Sequence, residues 1–247
     1  METIAVWFSC GAASAVAAKI TIEQYGGSCA IRVLNNPILE EDEDNLRFLK
    51  DVEKWLGVPI ETVSNKNCKD FSAVSVWEKR GYMSGVLGAP CTLELKKMAR
   101  QQFEMDNDID WHVLGFTSEE EGRFCTFQTR ERKNTLPVLI EAGLTKADCY
   151  RILQESGIDP PRSYAQGYPN ANCKGCVKAT SPTYWNHVRK VDPSVFLERA
   201  EQSKRLGVRL VRYKGKRIFL DDLPPDAKGY AMKSLDFECG IFCHTKG

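Results

Sequence analysis

Ile4-Ala5-Val6-Trp7-Phe8-Ser9-Cys10-Gly11-Ala12-Ala13-Ser14 decides how the chain folds. The five apolar residues, bounded by small ones, read as a buried strand. Ser9–Ser14 then turns through Gly11 into an Ala-rich, helix-favouring segment that runs to Tyr25 and stops at Gly26-Gly27. A glycine-bearing turn at a helix start presents free backbone N–H groups where an anion can sit. The same pattern opens many α/β folds, so these residues alone leave phosphate binding and a plain first turn equally open.

Working outward, a second apolar run from Cys29 to Leu34 makes the start β-α-β. The five consecutive acids Glu40–Asp44 precede a helix expected to show Leu46, Leu49, Val52 and Leu56 on one face. They are therefore read as charges at the positive end of a helix rather than as a metal or basic-partner site. Pro59–Val63 is a third strand, Trp77–Gly88 a flexible loop, and Leu93 to about Met105 a helix entered through Pro90-Cys91. Trp111–Phe116 is a fourth strand that empties into a charged loop, Thr117–Arg123. Strands alternating with helices at this spacing imply a parallel sheet, whose ligand crevice lies outside the carboxyl ends of its strands. The Ser9–Ser14 turn and the Glu119–Arg123 loop both belong to that edge.

Thr145-Lys146-Ala147-Asp148 has the pattern of a capping box for a helix to about Glu155, closed by Gly157. The character of the chain changes at Pro160-Pro161. Beyond it, Asp192-Pro193 starts a helix to about Leu206, and Val208–Tyr213, Lys214-Gly215-Lys216 and Arg217–Leu220 form a β-hairpin. The expected fold class is α/β: a twisted parallel sheet flanked by helices over residues 1–160, with a small cysteine-containing α+β appendage over 161–247.

The 247 residues carry a formal net charge of +1, with 43% hydrophobic and 27% charged residues. That balance gives no global field for nucleic acid or membrane. No apolar stretch reaches the length of a membrane span and the N-terminus lacks a signal-peptide pattern, so the expected location is cytoplasmic. Between Lys204 and Arg217 there are seven basic residues and no acid. They fit nucleic-acid or acidic-protein contact, and also the solvated, edge-protecting face of a hairpin, which is the preferred reading.

Ten cysteines exceed what packing asks for. In a reducing compartment they point to metal binding or catalysis rather than disulfides. Cys10, Cys29, Cys68, Cys125 and Cys149 stand alone and read as small apolar residues, whereas Cys173-x2-Cys176 and Cys239-x3-Cys243 are paired. A Cys-x2-Cys turn aims both thiolates at one ion and serves zinc, an iron–sulfur cluster or a redox dithiol.

Gln166-Gly167-Tyr168-Pro169 ahead of Cys173-Lys174-Gly175-Cys176 resembles the cluster segment of the APS and PAPS reductase family. Ser9–Ser14 stands where the adenine nucleotide alpha hydrolase superfamily keeps its PP-loop. Cys91 with Lys96-Lys97, Trp111 through Arg123, and Glu238-Cys239-Gly240-Ile241 are similar to further family motifs in the same order. The resemblance covers about residues 4–180 and the last ten. It implies a nucleotide (APS, PAPS or ATP) held by Ser9, Gly11, Ala12 and Ser14, with Arg123 on its anion. It also implies a [4Fe–4S] cluster on Cys91, Cys173 and Cys176 with Lys96 nearby, and Cys239 as the thiolate that attacks the sulfonucleotide before a thioredoxin-like dithiol frees sulfite.

The chain departs from the family pattern at several positions. Thr92 follows Cys91 where family clusters use an adjacent cysteine pair, so Cys243 is the preferred fourth ligand; alternatively Cys239 and Cys243 both bind metal. Phe242 replaces the usual His, and Ala13 replaces the Asp of many ATP-using members, which argues against pyrophosphate chemistry on ATP. Two rivals remain open. One is a cluster-dependent PP-loop ATP pyrophosphatase or sulfurtransferase acting on a nucleic acid or small acceptor through the 204–217 hairpin. The other is a nucleotide-binding module with a structural metal, zinc included. A homo-oligomer is compatible with all three.

Overall fold

The computed structural model describes residues 1–85 and 88–232. In chain order the elements are β1 (Thr3–Trp7), α1 (Ala12–Tyr25), β2 (Ala30–Asn35), α2 (Asp44–Leu56), β3 (Ile60–Thr62) and α3 (Ala73–Arg80). A π-helical turn, Thr92–Lys97, runs into α4 (Met98–Asp106), followed by β4 (Trp111–Val113). A 3-10 turn, Ser118–Glu120, leads into α5 (Glu121–Arg130), then β5 (Thr135–Leu136), α6 (Val138–Glu141), α7 (Lys146–Glu155) and α8 (Arg162–Ala165). The described chain ends with α9 (Pro182–Val191), α10 (Pro193–Arg205) and the strands β6 (Val211–Tyr213) and β7 (Lys216–Ile218).

These elements form two compact units that interleave along the chain. The first takes Met1–Pro37, Glu43–Val63 and Arg100–Tyr164. The second takes Ile38–Asp42, the described residues of Ser64–Ala99 and those from Ala165 onward. The second unit is thus not a continuous C-terminal segment: Ile38, Cys68, Trp77, Met83 and Leu95 share one apolar core with Tyr184, Trp185, Leu210 and Leu220.

The first unit is a five-stranded parallel sheet in the order β3-β2-β1-β4-β5, flanked by helices, an α/β fold. β1 is central and buried from Ile4 to Trp7, as strands covered on both faces are. It pairs with β2 through Val6↔Val33 and with β4 through Val6↔Val113. The chain runs outward to β3 on one side and to β4 and β5 on the other, so the strand order reverses between β1 and β4. A crevice opens beyond the carboxyl ends of strands at such a reversal. On one face Ile4, Val6 and Val113 pack with Val16 of α1, Phe48 and Val52 of α2, and Leu153 of α7. α1 is apolar nearly all round, with Ala12, Ala15, Val16, Ala17 and Ala18 buried, which suits a helix enclosed between the sheet and α6 and α7.

Three local expectations are corrected. The buried face of α2 is Phe48, Val52 and Leu56, and Leu46 is exposed. The expected loop from Trp77 begins inside α3, where Ser72 caps the helix by accepting Ser75 N–H (3.2 Å) and Trp77 is buried. The charged loop Thr117–Arg123 is the start of α5: Thr117 N–H and Oγ1 both bond Glu120 Oε2 at 3.2 Å, a capping box readable as Thr-x-x-Glu. The Thr145–Asp148 capping box is present as expected, with Asp148 N–H donating to Thr145 Oγ1 at 3.2 Å. The hairpin is present as the antiparallel pair β6–β7. Among the described residues no helix is long and apolar enough to cross a membrane.

Candidate functional site

Ser9–Ser14 joins β1 to α1 at the strand-order reversal of the first unit. Cys10 adopts a left-handed conformation (φ 54°). The turn brings the N–H groups of Ser9 (3.1 Å) and Gly11 (3.4 Å) onto one acceptor, Ser14 Oγ, which the Ser9 hydroxyl also reaches at 3.2 Å. Ser14 Oγ in turn donates to Gly11 O at 2.9 Å. No acid lies in the first turn of α1, so nothing local opposes an anion there.

The other wall is built by residues that sequence reasoning missed. A Cβ on Gly115, just past β4, would stand 2.7 Å from Ser14 N and 2.9 Å from Ala13 C, so only glycine lets this strand end meet the start of α1. The signal was an isolated glycine at the end of an apolar run. Around Gly11, a Cβ position has Tyr164 Oη at 3.3 Å, Ser9 Oγ at 3.7 Å and Ser14 Oγ at 3.9 Å, so three hydroxyls converge on this turn. Burial holds the Tyr164 hydroxyl protonated, its pKa raised although the Ala12 backbone and the Tyr150 hydroxyl pull it the other way. The Tyr150 and Tyr164 rings meet edge to face at 5.1 Å.

Arg123 lies on α5, with its guanidinium carbon 5.1 Å from the centre of the Phe116 ring and Nη1 bonded to Glu120 Oε1 at 2.5 Å. Because Phe116 directly follows Gly115, the arginine is anchored to the segment that leaves β4. Ser9, Gly11, Ala12, Ser14 and Arg123 therefore all follow the carboxyl ends of the adjacent strands β1 and β4.

The remaining predicted residues belong to the second unit or lie outside the described residues. Cys91 is buried at the start of the π-helical turn, a geometry frequent at functional sites. In the same turn Lys96 is buried, with Glu41 Oε1 at 3.5 Å. Cys173 and Cys176 flank the left-handed Gly175 (φ 63°). Cys176 N–H donates to Tyr184 Oη at 2.9 Å, and both cysteines act electrostatically on this buried hydroxyl, whose pKa burial drives far up. Lys174 between them is held by Asp42 (2.9 Å) and Asp192 (2.8 Å), and Tyr168 donates to Asp192 Oδ2 at 2.6 Å. Asp192 thus serves this cation instead of capping α10 with its side chain. Cys173 and Cys176 could supply two thiolate ligands from one left-handed turn. Among the described residues no group of three or more His, Cys, Asp or Glu is gathered to hold a metal ion. Cys239 and Cys243 lie outside the described residues.

Of the cysteines read as apolar, Cys149 is buried and its thiol is pushed up to about 11 by burial. Cys68 is not merely packed: its Sγ lies 3.5 Å from Glu94 Oε2, and burial, then Glu94, raise its pKa. The five acids also diverge. Glu40 bonds Ser72 Oγ (2.7 Å) and the N–H groups of Ala73 (2.8 Å) and Val74 (3.1 Å) at the start of α3. Glu41 faces Lys96, Asp42 Lys174, and Glu43 Arg162. Only Asp44 stands in the first turn of α2, held at a pKa of about 2 chiefly by Arg47.

Much of the basic stretch is used internally. Lys204 pairs with Asp221 and Arg205 with Glu78, Arg209 covers Phe219 at 5.3 Å, and Arg217 Nη1 donates to Leu210 O at 2.7 Å. No protein-family model matches the chain, and no curated protein matches it.

Proposed function

We propose that the chain is a PP-loop enzyme of the PAPS reductase type, acting on an adenine sulfonucleotide by thiol attack, with a thiolate-bound metal centre in its cysteine-bearing second unit. The observation that carries the nucleotide half is the Ser9–Ser14 turn. Two backbone N–H groups and the Ser9 hydroxyl converge on Ser14 Oγ beyond the central strand, as donors around a phosphate oxygen do. The cysteine half is supported by the Cys173–Cys176 turn.

In this reading Ser9, Gly11, Ala12 and Ser14 bind the nucleotide phosphate, and Arg123 supplies a positive charge for it. Cys239 thiolate attacks the substrate sulfur. The new S–S bond forms as the bond from sulfur to the phosphate oxygen breaks, and the adenosine nucleotide leaves with that electron pair. A thioredoxin-like dithiol then attacks Cys239 Sγ and sulfite departs with the S–S electrons. Its second thiol resolves the mixed disulfide and restores Cys239. Cys173 and Cys176, with Cys91 and Cys243, would hold a [4Fe–4S] cluster, while both electrons for sulfite release come from the thiols.

The test is anaerobic incubation with APS, PAPS or ATP and a thiol reductant. Sulfite released from a sulfonucleotide, abolished by Cys239→Ser with metal content intact, is the expected result. AMP and pyrophosphate from ATP without sulfite overturn the proposal in favour of ATP-dependent sulfur transfer. Iron loss in both Cys239→Ser and Cys243→Ser would make these residues a ligand pair and remove the nucleophile.

A further inference from the structure

Beside the Cys173–Cys176 turn lies a buried cation with no anion paired to it among the described residues. Arg199 of α10 is 3% exposed. Its Cγ and Nε stand 3.1 and 3.6 Å from the place a Gly175 Cβ would take, so the side chain runs directly across the turn between the two cysteines. Its guanidinium carbon lies 4.9 Å from the centre of the Trp77 ring, and Nη1 donates to Gln202 Oε1 at 2.9 Å. Neither neighbour carries charge. Lys174 of the same turn is by contrast held by Asp42 and Asp192, and Arg205 of the same helix by Glu78. Among the described residues Arg199 Nε–H has no acceptor, nor does the indole N–H of Trp77, whose ring it covers. Both orphans are donors, so the missing partner is an acceptor. A buried guanidinium is strongly unfavourable; the Trp77 ring and Gln202 offset part of that cost, and a nearby negative charge would offset the rest.

We infer that Arg199 is the counter-cation of an anionic, all-thiolate metal centre on the Cys173–Cys176 turn, an inference that rests on the metal reading proposed above. Four thiolates around zinc or an iron–sulfur cluster leave a net negative charge, whereas two thiolates and two imidazoles around zinc leave none. Arg199 thereby selects among the metal sites that a Cys-x2-Cys turn serves. It acts as a positioning residue: it ligates nothing, and it favours the more negative state of the centre beside it.

The experiment compares the wild-type chain, Arg199→Met and Arg199→Lys, purified anaerobically. Methionine keeps an apolar stem against Gly175 and Trp77 and drops the charge. The readouts are iron and zinc per chain, the midpoint potential of any cluster, and zinc loss to a chelator. For a cluster, Arg199→Met is expected to shift the reduction equilibrium about tenfold toward the oxidised form, 59 mV for a one-electron couple, with lysine restoring most of it. For zinc, the methionine variant is expected to lose metal about tenfold more readily, again rescued by lysine. Should Arg199→Met fail to fold, Arg199→Gln gives the same reading. Metal held with unchanged potential and unchanged chelator resistance overturns the role of Arg199 and leaves the metal reading standing. A wild-type chain free of iron and zinc overturns both.

Discussion

Replacing Gly115 with alanine tests whether the end of β4 and the start of α1 form one rigid site. The added Cβ would lie 2.7 Å from Ser14 N, 2.9 Å from Ala13 C and 3.0 Å from Ser14 Cα, all backbone atoms of the helix start. Carbon contacts are optimal near ~3.5–4.0 Å, so strand end and helix must part by roughly 0.5–1 Å. Overpacking of this kind costs about 1–3 kcal/mol. Restricting the unfolded chain returns about 0.4–1 kcal/mol, so the expected net loss is about 1–2 kcal/mol. In urea, with a slope of about 2 kcal/mol/M, the midpoint falls by about 0.5–1 M. Because the contact falls on the N–H-bearing turn, the adenine-nucleotide affinity that the proposed function requires should, measured by calorimetry, fall along with stability. Gly122→Ala is the control. Gly122 lies in α5 with nothing within 4 Å of its Cβ position, and alanine there should stabilise by about 0.5–1 kcal/mol. A Gly115→Ala chain as stable as the wild type, with nucleotide binding unchanged, would refute the close approach and its link to the site.

His112 should make stability fall with acid. Burial holds its pKa at about 4 against 6.5, with Trp7 Nε1 donating to its Nδ1 at 3.1 Å. The unfolded chain therefore takes up a proton first, and stability present above pH 6.5 is lost toward pH 4, by about 3 kcal/mol in total; in His112→Gln that part of the pH dependence of urea unfolding should vanish. Lys174→Met removes the cation from Asp42 and Asp192 and should cost about 3–5 kcal/mol in thermal or urea unfolding, far more than Lys69→Met on an exposed loop. Glu40→Gln removes the charge that accepts two N–H groups at the start of α3 and should cost about 1–2 kcal/mol, while Glu43→Gln, at an exposed pair, should be near neutral.

The parts of the fold legible in the sequence are those governed by short-range physics. β1, the turn after it and α1 announce themselves by an apolar run, a glycine and an alanine-rich helix, and the Thr145–Asp148 box by its spacing. Two helix starts carried equally local signals that were passed over, Thr117–Glu120 before α5 and Ser72 before α3, because charge and glycine in those stretches read as loop. Gly115 belongs to a different class. Its role depends on Ser14, about a hundred residues away in the chain and brought within contact by the parallel pairing of β1 with β4. No one-dimensional pattern carries that distance. The same holds for Tyr164, whose hydroxyl reaches the Gly11 turn from the far end of the first unit's sequence.

The acids Glu40–Asp44 show why composition misleads where two units share one chain. As a run they satisfy a rule about helix starts, and Asp44 obeys it. The chain, however, passes from the second unit to the first between Asp42 and Glu43, so neighbours in sequence answer to different surroundings. Glu40 replaces solvent at another helix start, Glu41 neutralises the buried Lys96 and Asp42 the half-buried Lys174, and Glu43 reaches Arg162 at the surface. The buried ammonium group of Lys96 and the half-buried one of Lys174 need such partners, since an unmatched charge taken out of water is strongly penalised. Set against these matched cations, Arg199 is conspicuous: at 3% exposure and beside the cysteine turn, it is a guanidinium that no acid of the described residues answers. A thiolate centre of the kind proposed for the cysteine turn would supply both the negative charge and the hydrogen-bond acceptors that the described residues around Arg199 and Trp77 do not.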